Sequence, residues 1–292
     1  MTLEDSTFEV PRMHAGEADL PAQLRDLMTW FLQGTVLRAG AARYRFAELE
    51  CYYSGDGHRD PFVHGHPLQQ SADRFYFHRR GTGYVGGTYK GVDLTFGDGR
   101  AHGGLLVRGL LPVRDATTDP AGDLPASELI DGPNRCVEAL LAATGHGHVR
   151  ELDAALGDRS MFAPGGAMWL ETTTSVAEHP VFYTARIGLT LKRHTPESQK
   201  ERYLLAPYRA LMTPRASKKG RLHLIVALYT AGWSSERIHR LTGSPRGSIE
   251  TTIERFEKAR ADTDADFLPF IDKSLSSSDL AHLHGVWARR FG

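Results

Sequence analysis

Ala47-Glu48-Leu49-Glu50-Cys51-Tyr52-Tyr53 sets Leu49, Cys51 and Tyr53 in alternation with Glu48, Glu50 and Tyr52. A period of two marks a β-strand with one dry face and one wet face, and the strand is read over Arg43 to Tyr53. Gly55-Asp56-Gly57 ends it. His58-Arg59-Asp60-Pro61-Phe62-Val63-His64-Gly65-His66 then forms a loop dense in titratable groups. A carboxylate beside a tyrosine at a strand's end, ahead of such a loop, has the makings of a hydrolytic site with Glu50 as general base. Two other readings compete. A carboxylate on a strand most often belongs to a solvated face. His58, His64 and His66, flanked by Asp56 and Asp60, are also the residue types of a metal site.

Working outward, Leu20 to Leu37 reads as a helix, with Leu20, Leu24, Leu27, Met28, Phe31 and Leu32 at helical spacing, Pro21 in its first turn and Gly34 at its end. The stretch from Phe75 to Phe96 is aromatic, β-branched and punctuated by glycine, which predicts two or three strands joined by tight turns. Gly104-Leu105-Leu106-Val107-Arg108-Gly109-Leu110-Leu111 is an apolar strand with one arginine in it. An unpaired buried arginine is costly, so Arg108 calls for an anionic or carbonyl partner. Gly132-Pro133-Asn134-Arg135 leads into a helix from Cys136 to Ala143. Arg186-Ile187-Gly188-Leu189-Thr190-Leu191 and Arg202-Tyr203-Leu204-Leu205 read as the last strands of the core.

The chain of 292 residues is long enough for one sizeable core and a small extra module. Two cysteines, Cys51 and Cys136, make no disulfide framework and favour a reducing cytoplasm. The N-terminus has no basic region followed by an apolar run, so no secretory signal is expected, and no apolar stretch approaches the roughly 20 residues that span a bilayer. The net charge of zero hides segregation. Residues 186–221 carry ten Lys or Arg against two Glu, a net of +8, and residues 114–158 carry nine Asp or Glu against three Arg, a net of −6. A basic surface opposite an acidic one suits an oriented polyanion such as DNA.

Composition changes at the basic linker Thr213-Pro214-Arg215-Ala216-Ser217-Lys218-Lys219-Gly220. Beyond it, Leu222, Leu224, Ile225, Leu228 and Tyr229 predict a helix that stops near Gly232. Ser234 or Ser235 caps a second that stops at Gly243, and Pro245 starts a third with Ile249, Ile253 and Phe256 on one face. Short helices split by glycine turns resemble a helix-turn-helix, with Arg246 at the exposed start of the third helix; a packing or dimerisation bundle is the competing reading. The expected fold class is therefore α+β. A mixed, mostly antiparallel curved sheet is flanked by helices, and a small all-α module follows. The expected divisions are a mobile arm over 1–19, a catalytic domain over 20–212, and the linker and helical module over 213–292.

Several segments, in this order, resemble the alkyladenine (3-methyladenine) DNA glycosylase family. Glu48-Leu49-Glu50-Cys51-Tyr52 is similar to its glutamate-x-tyrosine strand, and His64 to the histidine that follows. Phe77-His78-Arg79-Arg80-Gly81-Thr82-Gly83-Tyr84-Val85 resembles its hairpin, Leu105-Leu106-Val107-Arg108-Gly109-Leu110 its arginine-bearing strand, and Asp131-Gly132-Pro133-Asn134-Arg135-Cys136 its Gly-Pro segment. The likeness covers about residues 44–210 and stops short of the helical module.

The resemblance implies an enzyme that flips a modified base out of DNA and hydrolyses its N-glycosidic bond, leaving an abasic site. It assigns the base to Glu50, a stacking aromatic to Tyr52, a pocket histidine to His64 and a neighbour of the glutamate to Arg108, with Tyr84 in the hairpin. No cofactor and no metal are implied. No lysine lies in these motifs, so water is the expected nucleophile. Two family tyrosines have no plain counterpart, since the chain reads Gly86-Gly87-Thr88 there, and a base-screening asparagine aligns with Asp93. The Glu50-to-His64 gap is long for the family, so His58 or His66 stands as an alternative to His64. Losing aromatics at Gly86 enlarges a pocket, which suggests a bulky substrate base, for example a glucosylated one as in phage DNA, and a defence role. The expected DNA contacts are Arg79, Arg80, Lys90, Lys218, Lys219 and Arg246, with no membrane partner and a cytoplasmic, nucleoid-associated location. A DNA-binding protein that reuses the fold without chemistry is the alternative, and a metal-dependent hydrolase using His58, His64 and His66 is a third.

Overall fold

A computed structural model of the chain describes residues 19–113, 126–173 and 179–292. Nearly all of the expected N-terminal arm and most of the acidic loop at 115–126 lie outside the described residues. In chain order the elements are α1 (Leu20–Gly34), β1 (Thr35–Ala39), β2 (Ala42–Gly55), β3 (His58–Arg59), β4 (Ala72–Phe77), β5 (Arg79–Arg80), β6 (Gly83–Tyr84), β7 (Val92–Phe96), β8 (His102–Pro112), β9 (Ile130–Asp131), α2 (Pro133–Thr144), α3 (Val149–Leu156) and β10 (Met168–Thr172). They continue with β11 (Phe182–Thr184), α4 (Lys200–Leu204), β12 (Arg209–Leu211), α5 (Arg221–Thr230), α6 (Ser235–Thr242), α7 (Arg246–Ala261) and α8 (Ser277–Phe291). The chain is an α+β protein that divides into two compact units. The first holds 19–58 and 65–180; the second holds 59–64 and 181–292.

The first unit is built on a curled sheet with strands in the order β10-β1-β2-β8-β7-β4, every neighbouring pair antiparallel. Helix α1 covers β2. Asp19 accepts a hydrogen bond from the Ala22 amide at 3.1 Å to cap its start, and Pro21 fits the first turn, where no intrahelical donor is needed. Leu24, Leu27, Met28, Phe31 and Leu32 are fully buried along one stripe. Burial of each contributes about 1.5–3 kcal/mol. The helix stops at Gly34, and Thr35-Val36-Leu37, read from sequence as its tail, begins β1 instead. The β-branched Thr35 and Val36 fit an extended strand between two partners better than a last turn.

Strand β2 lies between β1 and β8 and is buried on both faces. Leu49, Cys51 and Tyr53 are buried as expected, but Glu48 and Glu50 are only 2% and 0% exposed. The expected wet face is thus an interior one, and its carboxylates need partners. The pairing of β2 with β8 is irregular at Glu48. Glu48 stands opposite Gly109 and Leu49 opposite Val107, so the register skips Arg108. Gly109 permits this close approach, since a Cβ there would lie 3.0 Å from Glu48 Cβ and 3.1 Å from its nitrogen.

In the second unit β11 and β12 pair antiparallel, and the helical module matches the sequence reading closely. Ser234 caps α6 by accepting from the Arg237 amide, and Gly243 ends it in the left-handed conformation. Leu211, Leu224, Ile225, Leu228, Ile238 and Ile249 form one core, and Leu191, Leu204, Leu205, Phe267, Leu283 and Val286 belong to another. The closing strands expected at 186–191 and 202–205 are absent. Residues 186–191 are irregular, with Gly188 at φ +81° interrupting extension, and Arg202 to Leu204 lie in α4. Arg186 is a fully buried anchor. It donates to Asp60 Oδ2 at 2.6 Å and to the Tyr203 carbonyl at 3.2 Å.

Candidate functional site

The sheet register fixes which side chains share a face. Glu50 stands opposite Leu106, Leu106 opposite Asp93, and Asp93 opposite Tyr76. Side chains alternate along each strand, so residues two apart in β2 and β8 join this face. Arg108, two beyond Leu106, and Tyr52, two beyond Glu50, do so.

Arg108 ties two carboxylates together. Its Nε donates to Glu48 Oε1 at 3.1 Å and lies 3.4 Å from Glu50 Oε1, while an Nη stands 3.4 Å from Glu50 Oε2. The Tyr52 hydroxyl donates to Glu50 Oε2 at 2.9 Å. Arg108 is 7% exposed, so the group sits in a dry part of the sheet. Burial works to lower the Arg108 pKa, but the charges of Glu50 and Glu48 outweigh it and hold the guanidinium above its ordinary value. The partner demanded by the apolar context of Arg108 is therefore this pair of glutamates. The role of Glu48 is not among the sequence expectations. Its signal is nonetheless local, because a residue two before Glu50 on a strand shares its face.

Asp93 is 2% exposed and occupied on both oxygens: Gln69 Nε2 donates to Oδ2 at 3.0 Å, and His78 Nε2 lies 2.7 Å from Oδ1. Asp93, which aligns with the base-screening asparagine of the family resemblance, thus has a protein partner on each oxygen. Tyr84 and Arg79, at the β5–β6 hairpin, meet Asp153 of α3. Arg79 donates to Asp153 Oδ2 at 2.6 Å, Tyr84 donates to the same oxygen at 2.5 Å, and the Arg79 guanidinium lies 4.6 Å from the centre of the Tyr84 ring. Burial, followed by the Asp153 carboxylate, pushes the Tyr84 hydroxyl pKa up. At Gly86 an added Cβ would meet nothing within 4 Å.

The histidines of the 58–66 loop do not gather. His58 is buried with its ring 5.8 Å from that of Tyr53, His66 stacks on Tyr76 at 4.8 Å and accepts from the Leu68 amide, and His64 is exposed in the segment belonging to the second unit. Among the described residues no group of three or more His, Cys, Asp or Glu is placed to hold a metal ion. Of the expected DNA contacts, Arg80, Lys218 and Lys219 are exposed, while Arg79 is committed to Asp153, Lys90 pairs with Glu138 and Arg246 with Glu236. Among the described residues no helix is long and apolar enough to cross a membrane.

No protein-family model matches the chain. It is similar to an uncharacterized protein of Acanthamoeba polyphaga mimivirus, at 28% identity over 183 residues that cover 57% of this chain and 78% of that protein. The relative's name assigns no activity.

Proposed function

We propose that the chain is a monofunctional DNA glycosylase acting in the cytoplasm, which flips out a modified base and hydrolyses its N-glycosidic bond. The observation that carries this reading is Glu50, a buried carboxylate oriented from one side by the Tyr52 hydroxyl at 2.9 Å and from the other by Arg108 at 3.4 Å. A general base must be held in one orientation to remove a proton from water as it attacks C1′. Arg108 supplies the positive charge that a carboxylate base needs in a dry site, and Glu48 shares that charge. Tyr52, half-buried beside Glu50, presents an aromatic face to a flipped base. The lack of a large aromatic at exposed Gly86, where the resemblance expects one, favours a base bulkier than 3-methyladenine, including a glucosylated one. Exposed Arg80, Lys218 and Lys219 supply cations for the phosphate backbone.

The test compares wild type with Glu50→Gln on duplexes carrying alkylated, deaminated, hydroxymethylated or glucosylated bases, with abasic sites read by alkaline cleavage. Wild type is expected to produce them on at least one substrate, and Glu50→Gln to lose about 10²–10⁴-fold in rate. Binding of DNA by both proteins without any abasic product replaces this reading with a non-catalytic DNA-binding one.

A further inference from the structure

The second unit carries a charged surface that its own packing does not use. Helices α5, α6 and α7 share one core, in which Leu224, Ile225 and Leu228 of α5 join Ile238 of α6 and Ile249 of α7. Only Gly243, Ser244 and Pro245 separate α6 from α7. Gly243 takes the left-handed conformation at φ +71°, which glycine adopts without strain. The polar groups of the turn are held within the module. His239 Nδ1 donates to the Ser244 carbonyl at 2.7 Å, the Ser244 amide donates to Thr242 Oγ1 at 3.1 Å, and Arg221 donates to the Thr242 carbonyl. Two helices joined by a short braced turn, with a third helix on the same core, make the frame of a helix-turn-helix.

One side of α7 is committed to packing. Ile249, Thr252, Phe256 and Ala259 are buried, and Gly285 lets α8 come so close that a Cβ there would stand 2.2 Å from the Phe256 carbonyl oxygen. The other side is exposed. Ser248, Thr251 and Arg255 follow one another at spacings of three and four residues, so they form one exposed ridge that starts beside exposed Gly247. An α-helix is about 10–12 Å across and the major groove of DNA about 12 Å wide, so a helix whose leading residues are small can reach the base edges. Ser and Thr hydroxyls both donate and accept there, and arginine pairs with guanine. On α6, Arg237 and Arg240 are exposed three residues apart, with the Arg237 guanidinium 3.5 Å from the centre of the Trp233 ring. A helix-turn-helix lays its first helix across the phosphate backbone, where such cations are needed.

We propose that residues 213–261 form a helix-turn-helix that lays α7 in the major groove of unmodified duplex DNA and reads a short base sequence there. Charge supports this occupant. Residues 213–261 carry ten Lys or Arg against four Glu, a net of +6. Of the four, Glu236 pairs with Arg246 and Glu257 with Arg260. Glu250 and Glu254 stand on the stripe of α7 next to the ridge, where a carboxylate can accept from a cytosine amino group. A face for a second copy of the chain would present apolar side chains at its centre, whereas this ridge presents Gly, Ser, Thr and Arg. The inference goes beyond the catalytic reading of Glu50 and does not rest on it, since it concerns DNA without a modified base. Its consequence is that the chain is drawn to particular sequences as well as to DNA at large.

The experiment uses the full chain to select from unmodified duplexes that carry a randomised stretch of about two helical turns, then measures the enriched duplex by fluorescence anisotropy across a salt series. Wild type is expected to enrich a short sequence and to bind it at least about tenfold more tightly than a scrambled duplex. Ser248→Glu sets a carboxylate on the ridge within the first turn of α7, where an acid suits the helix, so helicity and melting temperature should hold while affinity for the enriched duplex falls at least about tenfold. Arg240→Gln with Arg255→Gln should weaken binding to both duplexes and flatten the slope of log affinity against log salt by about two. Replacing purines of the enriched duplex with their 7-deaza analogues removes acceptors from the major groove and should weaken wild-type binding. Enrichment of no sequence, undiminished binding by Ser248→Glu, or indifference to the 7-deaza purines overturns the proposal. A wild-type dimer that Ser248→Glu dissociates with DNA binding unchanged overturns it too, and assigns the face to contact between copies. No base in these duplexes is modified, so the result stands whether or not Glu50 catalyses excision.

Discussion

Acidification should weaken the second unit through two buried histidines. His223 Nδ1 of α5 and His284 Nε2 of α8 lie 2.8 Å apart, with one ring donating and the other accepting. Both rings are buried. Burial, followed by repulsion from Arg209, lowers the His223 pKa to about 4, and burial, followed by His223, holds His284 well below the ordinary value. A proton on the accepting nitrogen would set two N–H groups against each other, so the facing nitrogens hold one proton between them. A folded-state pKa below the unfolded one means that the unfolded chain binds more protons in between, so stability is full above the unfolded value and is lost as pH falls toward the folded one. From pH 7 to pH 5 an unfolded histidine with pKa near 6.5 gains most of a proton while His223 gains little, which removes about 2 kcal/mol. Burial shifts His284 in the same direction, so it adds to that loss. The assay is guanidinium unfolding of the full chain at pH 7 and pH 5, followed by tryptophan fluorescence; Trp233 and Trp287 report on the second unit. The double variant His223→Leu with His284→Phe should show a pH dependence smaller by at least about 2 kcal/mol than wild type. Carboxylates elsewhere titrate alike in both proteins and cancel in the comparison. Equal pH dependence in the two proteins would refute the argument.

Other outcomes follow from the sheet. Arg108→Met removes the guanidinium that Glu48 and Glu50 share in a buried site and should cost about 3–5 kcal/mol at pH 7; adding Glu48→Gln should recover part of that loss, as measured by denaturant unfolding. Gly86→Tyr enters open space, so melting temperature should change little, while excision of glucosylated bases should fall by at least about tenfold relative to excision of small alkylated bases. Unchanged activity on the bulky base would show that the room at Gly86 is not used.

Local pattern reaches furthest in the helical module. Ser234, Gly243 and Pro245 act on neighbours a few residues away, and the apolar spacing of Ile249, Ile253 and Phe256 needs only one helix to be recognised. Those boundaries are therefore legible in the local sequence. So are β2, where Leu49, Cys51 and Tyr53 alternate with Glu48, Glu50 and Tyr52, and β8, a mostly apolar run. The short segments are not. Residues 35–37 read as helix and form strand, and residues 202–204 read as strand and form helix. A run of three or four largely apolar residues satisfies either period, and its packing partners decide between them.

The candidate site divides in the same way. Glu50 as a candidate base and the need of Arg108 for an anionic or carbonyl partner follow from residue types, strand period and the cost of burying an arginine, all properties of single segments; the roles of Tyr52 and of Arg108 beside Glu50 come from the family resemblance. That Glu48 shares Arg108, that both oxygens of Asp93 are taken by Gln69 and His78, and that Arg79 and Tyr84 converge on Asp153 depends on tertiary structure. These pairs are separated by 15 to 74 residues in the chain. Local sequence determines which residues can form a strand and which of them share its face. Only the register between distant strands determines which charge meets which, because a shift of one residue turns every side chain to the opposite face.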